Sequence, residues 1–504
     1  MRTSSYVHYT SIPETSSFFL VHGYSGAIDK VPSHVVRYLL DRRAHSESTH
    51  TSDEEIALAA LAESPDEQIY NSPSPQTLEM LVKHGYLTAM TVEQEYEYVV
   101  RIARSVHERS ARIGFPSFLL IPTYQCNLRC PYCFESDARS NMHRDGRLNH
   151  VMTPEMLDAA FATMDNLYLQ VKLDDSKREV LRKGQTVILY GGEPLQELTL
   201  PIIQRIVEKG KDREMRFTAI TNGIDLHRFT NLLTPDGISA VQITIDGPRS
   251  THDRNRIGPS HRKTYDRILE NIGVALERNT RISLRVHADW DSIKDTPSIL
   301  DDMRQRGYLQ DKNLNIYISP RHLWHINDSY TVQYPIEPHH LHSEILRWHI
   351  EESSHVYVSQ IRFVERKLTR YIREGLIGLS SRMEYCRAYS GTMHILDPFG
   401  DVYGCWDFVG KPEECIGHYT KSGVSYTARA KDWKNRCPAE ISACSKCKYV
   451  MFHFGGCVEA AVSTGQGLLT SACCGFESSF ITMAKQFFQQ GQHERVSVLN
   501  ITSS

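Results

Sequence analysis

The placement of twelve cysteines limits this chain more than any other feature of it. Cys126, Cys130 and Cys133 share one short stretch, and the other nine fall between Cys386 and Cys474. Met1 to Ser17 is polar and rich in Ser and Thr, without the apolar core of a secretion signal, and no apolar run is long enough to cross a bilayer. The sequence therefore predicts a cytoplasmic chain with no membrane partner. In a reducing compartment clustered thiols ligate metal, act in catalysis or lie buried, and disulfides are disfavoured.

A chain of 504 residues can bury two or three separate cores. With 40% hydrophobic and 23% charged residues the composition is that of a globular protein. A net charge of -3 gives no excess of cations for phosphate backbones, which argues against a nucleic-acid partner.

The apolar pattern changes along the chain. Residues 1–112 offer a strand at Phe18 to Val21, a Gly-rich turn and helices near Val35 to Leu40, Glu54 to Ala62, Pro75 to His84 and Val92 to Arg109, which predicts a small winged-helix-like domain. Residues 113–335 alternate short apolar strands with helical stretches, the pattern of parallel βαβ units. The strands are expected at Phe118 to Ile121, Thr186 to Tyr190, Arg216 to Thr221, Ala240 to Ile245, Ile282 to Val286 and Leu314 to Ile318. Six such units make a partial (β/α)6 TIM-like barrel, an α/β fold whose chemistry gathers at the C-terminal ends of the strands. A helical bridge at 336–380 leads to a Cys-rich segment, 381–480, with too few apolar periods to fold without metal. A helix and tail, 481–504, close the chain.

Cys126-x3-Cys130-x2-Cys133 directly follows the first barrel strand. One loop with this spacing can wrap three thiolates around a cubane cluster and leave the fourth iron without a protein ligand. A zinc knuckle or three buried thiols is the competing reading, weakened because no fourth Cys or His lies close in sequence. These residues, with the aromatic Tyr132 before the last cysteine, resemble the radical S-adenosylmethionine superfamily signature. Gly191-Gly192-Glu193-Pro194 after the second strand is similar to that family's GGEP element. Thr221-Asn222 after the third strand resembles its ribose-side turn, Asp246-Gly247 after the fourth its SxDG element, and Arg285 on the fifth stands where relatives reach the cofactor. The resemblance implies a 4Fe-4S cluster on the three cysteines. It also implies S-adenosylmethionine bound by Tyr132, Gly191, Gly192, Glu193, Pro194, Thr221, Asn222, Asp246 and Arg285. A common turn remains an alternative for Asp246-Gly247, and an internal salt bridge for Arg285.

The C-terminal cysteines resemble the SPASM extension of peptide-modifying radical enzymes. Cys386 precedes Gly400-x4-Cys405, and Cys444-x2-Cys447-x5-His453-x3-Cys457 is followed by Cys473 and Cys474. By this resemblance one or two auxiliary 4Fe-4S clusters are implied, one on Cys386, Cys405 and Cys457, the other on Cys444, Cys447 and Cys473. His453 stands where the pattern has cysteine: it ligates through nitrogen, or leaves an iron open, or the cluster is absent. Cys415 is a further candidate for the first cluster, Cys474 a spare at the second, and Cys437 has no assignment. A zinc site on Cys444, Cys447, His453 and Cys457 is the rival reading.

Enzymes with this extension oxidise or cross-link residues of ribosomally made peptides, so the resemblance implies a radical oxidoreductase that matures a precursor peptide or protein. It further implies a reducing partner such as a flavodoxin or ferredoxin, and an N-terminal domain that takes a leader peptide as an added strand. A sulfatase-type (formylglycine) or quinone-cofactor peptide enzyme is the alternative, and Trp406, standing between Cys405 and Asp407, lowers the sulfatase reading. A metal-stapled peptide-binding scaffold without activity is the non-enzyme alternative.

Overall fold

The computed structural model describes residues 1–12, 16–43, 51–62, 72–321, 336–348, 356–379, 385–388, 390–463, 467–473, 475–489 and 497–498. Cys474 lies outside the described residues. The chain groups into two compact units that cut across sequence order: Met1–Ala111 with Gln360–Cys386 and Arg436–Ser504, and Arg112–Ser359 with Arg387–Asn435.

In the first unit, strands Val7–Ile12, Ser17–His22 and Ile28–Pro32 form an antiparallel meander, with Tyr9 opposite Leu20 and Phe18 opposite Val31. Helices Ser33–Leu40, Ser52–Ala62 and Pro75–Lys83 close over it, and Val35, Val36, Leu39, Leu61 and Leu81 share one core with Val7, Leu20 and Tyr86. Ser74 caps the third helix by accepting from the Thr77 N–H at 3.2 Å, and Gly85 ends it at φ +91°, where a side chain would be strained. The strand Val7–Ile12 goes beyond the sequence expectation. Its polar residues are buried too, because a later segment of the same unit covers its second face. The His8 ring lies 4.7 Å from Tyr449 and 4.9 Å from Phe480, and its Nε2 is 3.1 Å from the Lys448 carbonyl oxygen. Lys448 itself is buried, its Nζ 2.5 Å from Asp53.

In the second unit the six expected strands are present as Ser117–Leu120, Thr186–Leu189, Arg216–Thr221, Ile238–Ile245, Arg281–Ala288 and Leu314–Pro320, all parallel and side by side in chain order. The sheet extends at both edges. Val356–Val358 adds in parallel to the sixth strand, and Met393–Leu396 in parallel to the first. Asp401–Tyr403, Cys415–Thr420 and Gly423–Tyr426 continue antiparallel from there, giving eleven strands. Residues 387–435, expected within a separate Cys-rich segment, therefore build on the barrel sheet. Cys415 is buried there with Leu119, Ile395 and Tyr403.

Burial alternates along the strands with period two. On the fifth strand Ile282, Leu284, Val286 and Ala288 are buried under the outer helices, while Ser283, Arg285 and His287 face the other way. One face of the sheet is thus apolar and the other carries polar groups at the C-terminal strand ends. Among the described residues no helix is long and apolar enough to cross a membrane.

Candidate cluster and cofactor site

The loop after the first barrel strand carries Cys126, Cys130 and Cys133 and ends at the helix Ser136–Arg144. Cys126 is buried, its Sγ accepting from the Leu128 N–H at 3.3 Å, and the Cys133 N–H donates to the Cys130 carbonyl at 3.2 Å. Arg129 holds the loop from within, its guanidinium on the Cys126 carbonyl at 2.7 Å and its N–H on the Ile257 carbonyl at 2.9 Å. Burial pushes all three thiols up, Cys133 to about 12, and both Cys126 and Cys133 feel Cys130. Three sulfurs presented by one short loop at a strand end are a donor set that fits a metal cluster.

The Gly-Gly pair lies against the backbone that leads into this loop. A methyl group on Gly192 would overlap the Tyr124 carbonyl oxygen and come within 2.5 Å of that of Gln125, and Gly191 has φ +120°. The Glu193 N–H donates to the Gln125 carbonyl at 2.9 Å. These glycines therefore permit a close approach to the chain itself, which seats the cluster loop on the second strand end.

Glu193 is buried and its carboxylate joins the second and third strand ends. It accepts from Thr221 Oγ1 at 2.6 Å, from the Asn222 N–H at 2.6 Å and from the Leu195 N–H at 2.8 Å. Burial outweighs these donors and pushes Glu193 up to about 7. Asn222 in turn reaches Asn127 of the cluster loop at 2.7 Å, and its amide nitrogen lies 3.9 Å from Cys126 Sγ. Thr221, Asn222, Glu193 and Cys126 thus form one connected group.

A second group stands at the ends of the fourth to sixth strands. Asp246 is fully buried, and among the described residues its carboxylate oxygens have no partner in good hydrogen-bond geometry. Burial alone would raise it, yet His287, Arg256 and Arg321 together hold it far below the usual carboxylate range. His287 Nδ1 is 3.5 Å and Arg256 Nη1 3.8 Å from Asp246 Oδ1. Arg256 also donates to the Tyr132 hydroxyl at 2.9 Å, so the aromatic residue of the cysteine loop joins this group. Arg285 donates to Thr244 Oγ1 at 3.2 Å and bears on Asp407, which burial pushes up to about 6. A buried carboxylate held only by ion-pair contacts of 3.5 Å and longer is the kind of group a polar ligand satisfies.

Pro194 continues this turn, its carbonyl accepting from Thr199 at 2.7 Å. Sequence reasoning did not single out Arg256, His287, Arg321 or Asn127. His287 was open to it, since it lies two residues beyond Arg285 on one strand face. Arg256 carries no such signal, because only the turn of the helix Arg249–Asn255 brings it to Tyr132.

Among the C-terminal cysteines, Cys386 and Cys457 lie in the first compact unit and Cys405 in the second. Cys405 Sγ is 3.6 Å from Asp407. Cys444 is buried and raised to about 12, with Cys447, Cys473 and Cys437 all adding to the effect of burial. The His453 ring lies 4.4 Å from Phe476 and 5.4 Å from Tyr385. Cys415 donates to the Gly417 carbonyl at 3.1 Å.

Residues 120–288 match the family model described as the Radical SAM superfamily, so the chain carries a radical SAM domain. That family implies a 4Fe-4S cluster and S-adenosylmethionine, and the three loop thiols and the Glu193 and Asp246 groups fit them. By sequence the chain is 31% identical over 183 residues to the GTP 3',8-cyclase of Clostridium perfringens (strain SM101 / Type A), covering 36% of this chain and 48% of the relative. A probable GTP 3',8-cyclase of Methanococcus maripaludis is 27% identical over 194 residues, 38% of this chain and 56% of the relative. The chain thus spans about half the length of the curated relatives it matches. Among solved structures, native anSMEcpe with bound AdoMet and Cp18Cys peptide superposes with a TM-score of 0.54 at 16% identity, covering 74% of this chain and 97% of that one. Streptococcus suis SuiB bound to precursor peptide SuiA superposes with a TM-score of 0.50 at 12% identity, covering 94% and 99%. At these identities the likeness is one of fold.

Proposed function

We propose that this chain is a radical S-adenosylmethionine enzyme that modifies a ribosomally made precursor peptide in the cytoplasm, drawing electrons from a flavodoxin- or ferredoxin-like donor. The observation that carries the proposal is the Glu193 carboxylate, which ties the Thr221-Asn222 turn to the strand end that seats Cys126, Cys130 and Cys133. With its cluster and cofactor bound, the site supplies a 5'-deoxyadenosyl radical that abstracts hydrogen from carbon. The chain's own part is to hold three thiolates on one loop, to present Asp246 and Arg285 at the strand ends, and to keep water from them by burial.

A peptide substrate is supported by two features. The fold shared over most of the chain with SuiB is that of a protein whose structure holds a precursor peptide. The outer strand Ile28–Pro32 of the N-terminal meander also takes an added strand, since Ser497–Val498 pairs with it in parallel. A leader added as a strand there would replace Ser497–Val498 at that edge. The curated relatives match over about half of their own length, so their nucleotide substrate does not transfer with the match.

A protein maturase of the sulfatase kind is the second reading. Asp407, one place beyond its expected position, is still buried against Cys405.

The test is anaerobic reconstitution and reduction of the full chain with S-adenosylmethionine. Release of 5'-deoxyadenosine, lost in Cys126→Ala, is expected; release that persists in Cys126→Ala refutes the cluster assignment. Coexpression with short open reading frames beside the gene, followed by mass spectrometry, then reads the product. A cross-link or dehydrogenated residue supports the first reading, and an aldehyde the second.

A further inference from the structure

In the family pattern His453 stands where a cysteine ligand is expected, the second auxiliary cluster has three cysteines, and Cys437 has no role. We propose that in this chain Cys437 is the fourth ligand, completing a four-thiolate 4Fe-4S site with Cys444, Cys447 and Cys473, and that His453 stays off the metal. The inference rests on the reading of the C-terminal cysteines as auxiliary-cluster ligands.

The geometry begins at Arg436, which is fully buried in a segment of few apolar residues. Its guanidinium donates to the Gly455 carbonyl at 3.1 Å, to the Thr470 carbonyl at 2.8 Å and to the Leu468 carbonyl. A buried guanidinium that spends its donors on three carbonyls fixes those backbone segments against its own. One of them, the stretch from Leu468 to Thr470, leads directly to Cys473. Gly455 lies beside Cys444, since a methyl group there would be 3.4 Å from Cys444 Sγ. The Ala472 N–H donates to the Gly455 carbonyl at 3.0 Å, which brings the residue before Cys473 to the same place.

Local structure places the remaining two. From Cys437 the chain makes the single turn Pro438–Glu440, its Glu440 N–H on the Cys437 carbonyl at 2.9 Å, and passes at once into Ser442–Ser445, which carries Cys444. The Cys447 N–H donates to the Cys444 carbonyl at 3.1 Å, one turn on. Arg436 thus brings the Cys444 and Cys473 segments together at Gly455, and the local turns join Cys437 and Cys447 to Cys444 on either side.

The Cys437 sulfur takes a backbone hydrogen bond from Ala439, which a ligating sulfur can keep, and has one weak contact to give up. Cys437 is buried, and its thiol points to the Ala103 carbonyl at 4.0 Å, the outer limit for a sulfur hydrogen bond. His453, by contrast, is packed between Phe476 and Tyr385, so turning it onto a metal gives up two ring contacts. Cysteine is also the common ligand for such clusters.

The experiment uses the full chain with Cys126→Ala, Cys130→Ala and Cys133→Ala, which removes the loop cluster, purified anaerobically, with iron and sulfide counted and Mössbauer spectra recorded. Adding Cys437→Ser is expected to remove about four irons per chain. Adding His453→Gln is expected to remove none. If both changes lose iron, Cys437→Ser combined with His453→Cys decides: recovery of the lost iron supports the site, and no recovery overturns it. The inference is also overturned if Cys437→Ser keeps its iron, or if the cysteines hold zinc. Metal counts are independent of any substrate, so this failure is distinct from failure of the peptide reading.

Discussion

Glu193→Gln is the sharpest test of the connected group at the second and third strand ends. The substitution keeps shape and volume and replaces one acceptor oxygen by an NH2 donor. Oε1 faces the Leu195 N–H at 2.8 Å and Thr221 Oγ1 at 2.6 Å, and Oε2 faces the Asn222 N–H at 2.6 Å. The threonine hydroxyl can rotate and accept, but the two backbone N–H groups cannot. Whichever way the amide turns, one buried N–H then meets a donor. Leaving such a group unsatisfied costs about 1–3 kcal/mol. If relaxation shifts the Thr221-Asn222 turn by that energy, S-adenosylmethionine binding weakens by roughly 5- to 150-fold. Calorimetric titration of the reconstituted chain measures this, with thermal unfolding as the stability readout. An unchanged affinity together with an unchanged melting temperature would refute the argument.

Three further outcomes are expected. Gly192→Ala forces backbone apart at Tyr124 and Gln125, so the purified protein should lack about four irons of the loop cluster while circular dichroism stays near that of the parent; full iron content would contradict the seating role. Asp53→Asn leaves the buried Lys448 ammonium without its counter-ion and should cost about 3–5 kcal/mol in urea unfolding, against a smaller loss when Lys448→Met is added. Lys448 and its partners hold Asp53 below the usual carboxylate range despite burial, so its contribution is present above about pH 4 and is lost as pH falls through the lowered value; the variant should lack this acid-limb dependence. Asp397 behaves oppositely. Burial and then Asp401 push it up to about 7, so the protonated form stabilises below about pH 4 and the benefit fades as pH rises through 7. Asp397→Asn should flatten stability over that range, and an unaltered slope would rule the residue out.

Much of the barrel was legible in the sequence because its cause is local. Each parallel strand, buried by helices on one face, reads as a short apolar run ending in glycine or polar residues, and all six runs became strands within a few residues of the expected bounds. The loop spacing of Cys126, Cys130 and Cys133 and the Gly-Gly-Glu turn were equally visible, since both depend on neighbours in the chain. What the residues around them do was decided by contacts distant in sequence. Glu193 serves Thr221 and Asn222, and Tyr132 meets Arg256, across separations that periodicity does not encode. His8 and Lys448 look like surface residues in sequence and are buried because two distant segments fold as one unit. Residues 387–435 joined the barrel sheet for a related reason. The first strand's edge had open backbone donors and acceptors, and only the tertiary structure could determine that Met393–Leu396 would satisfy them.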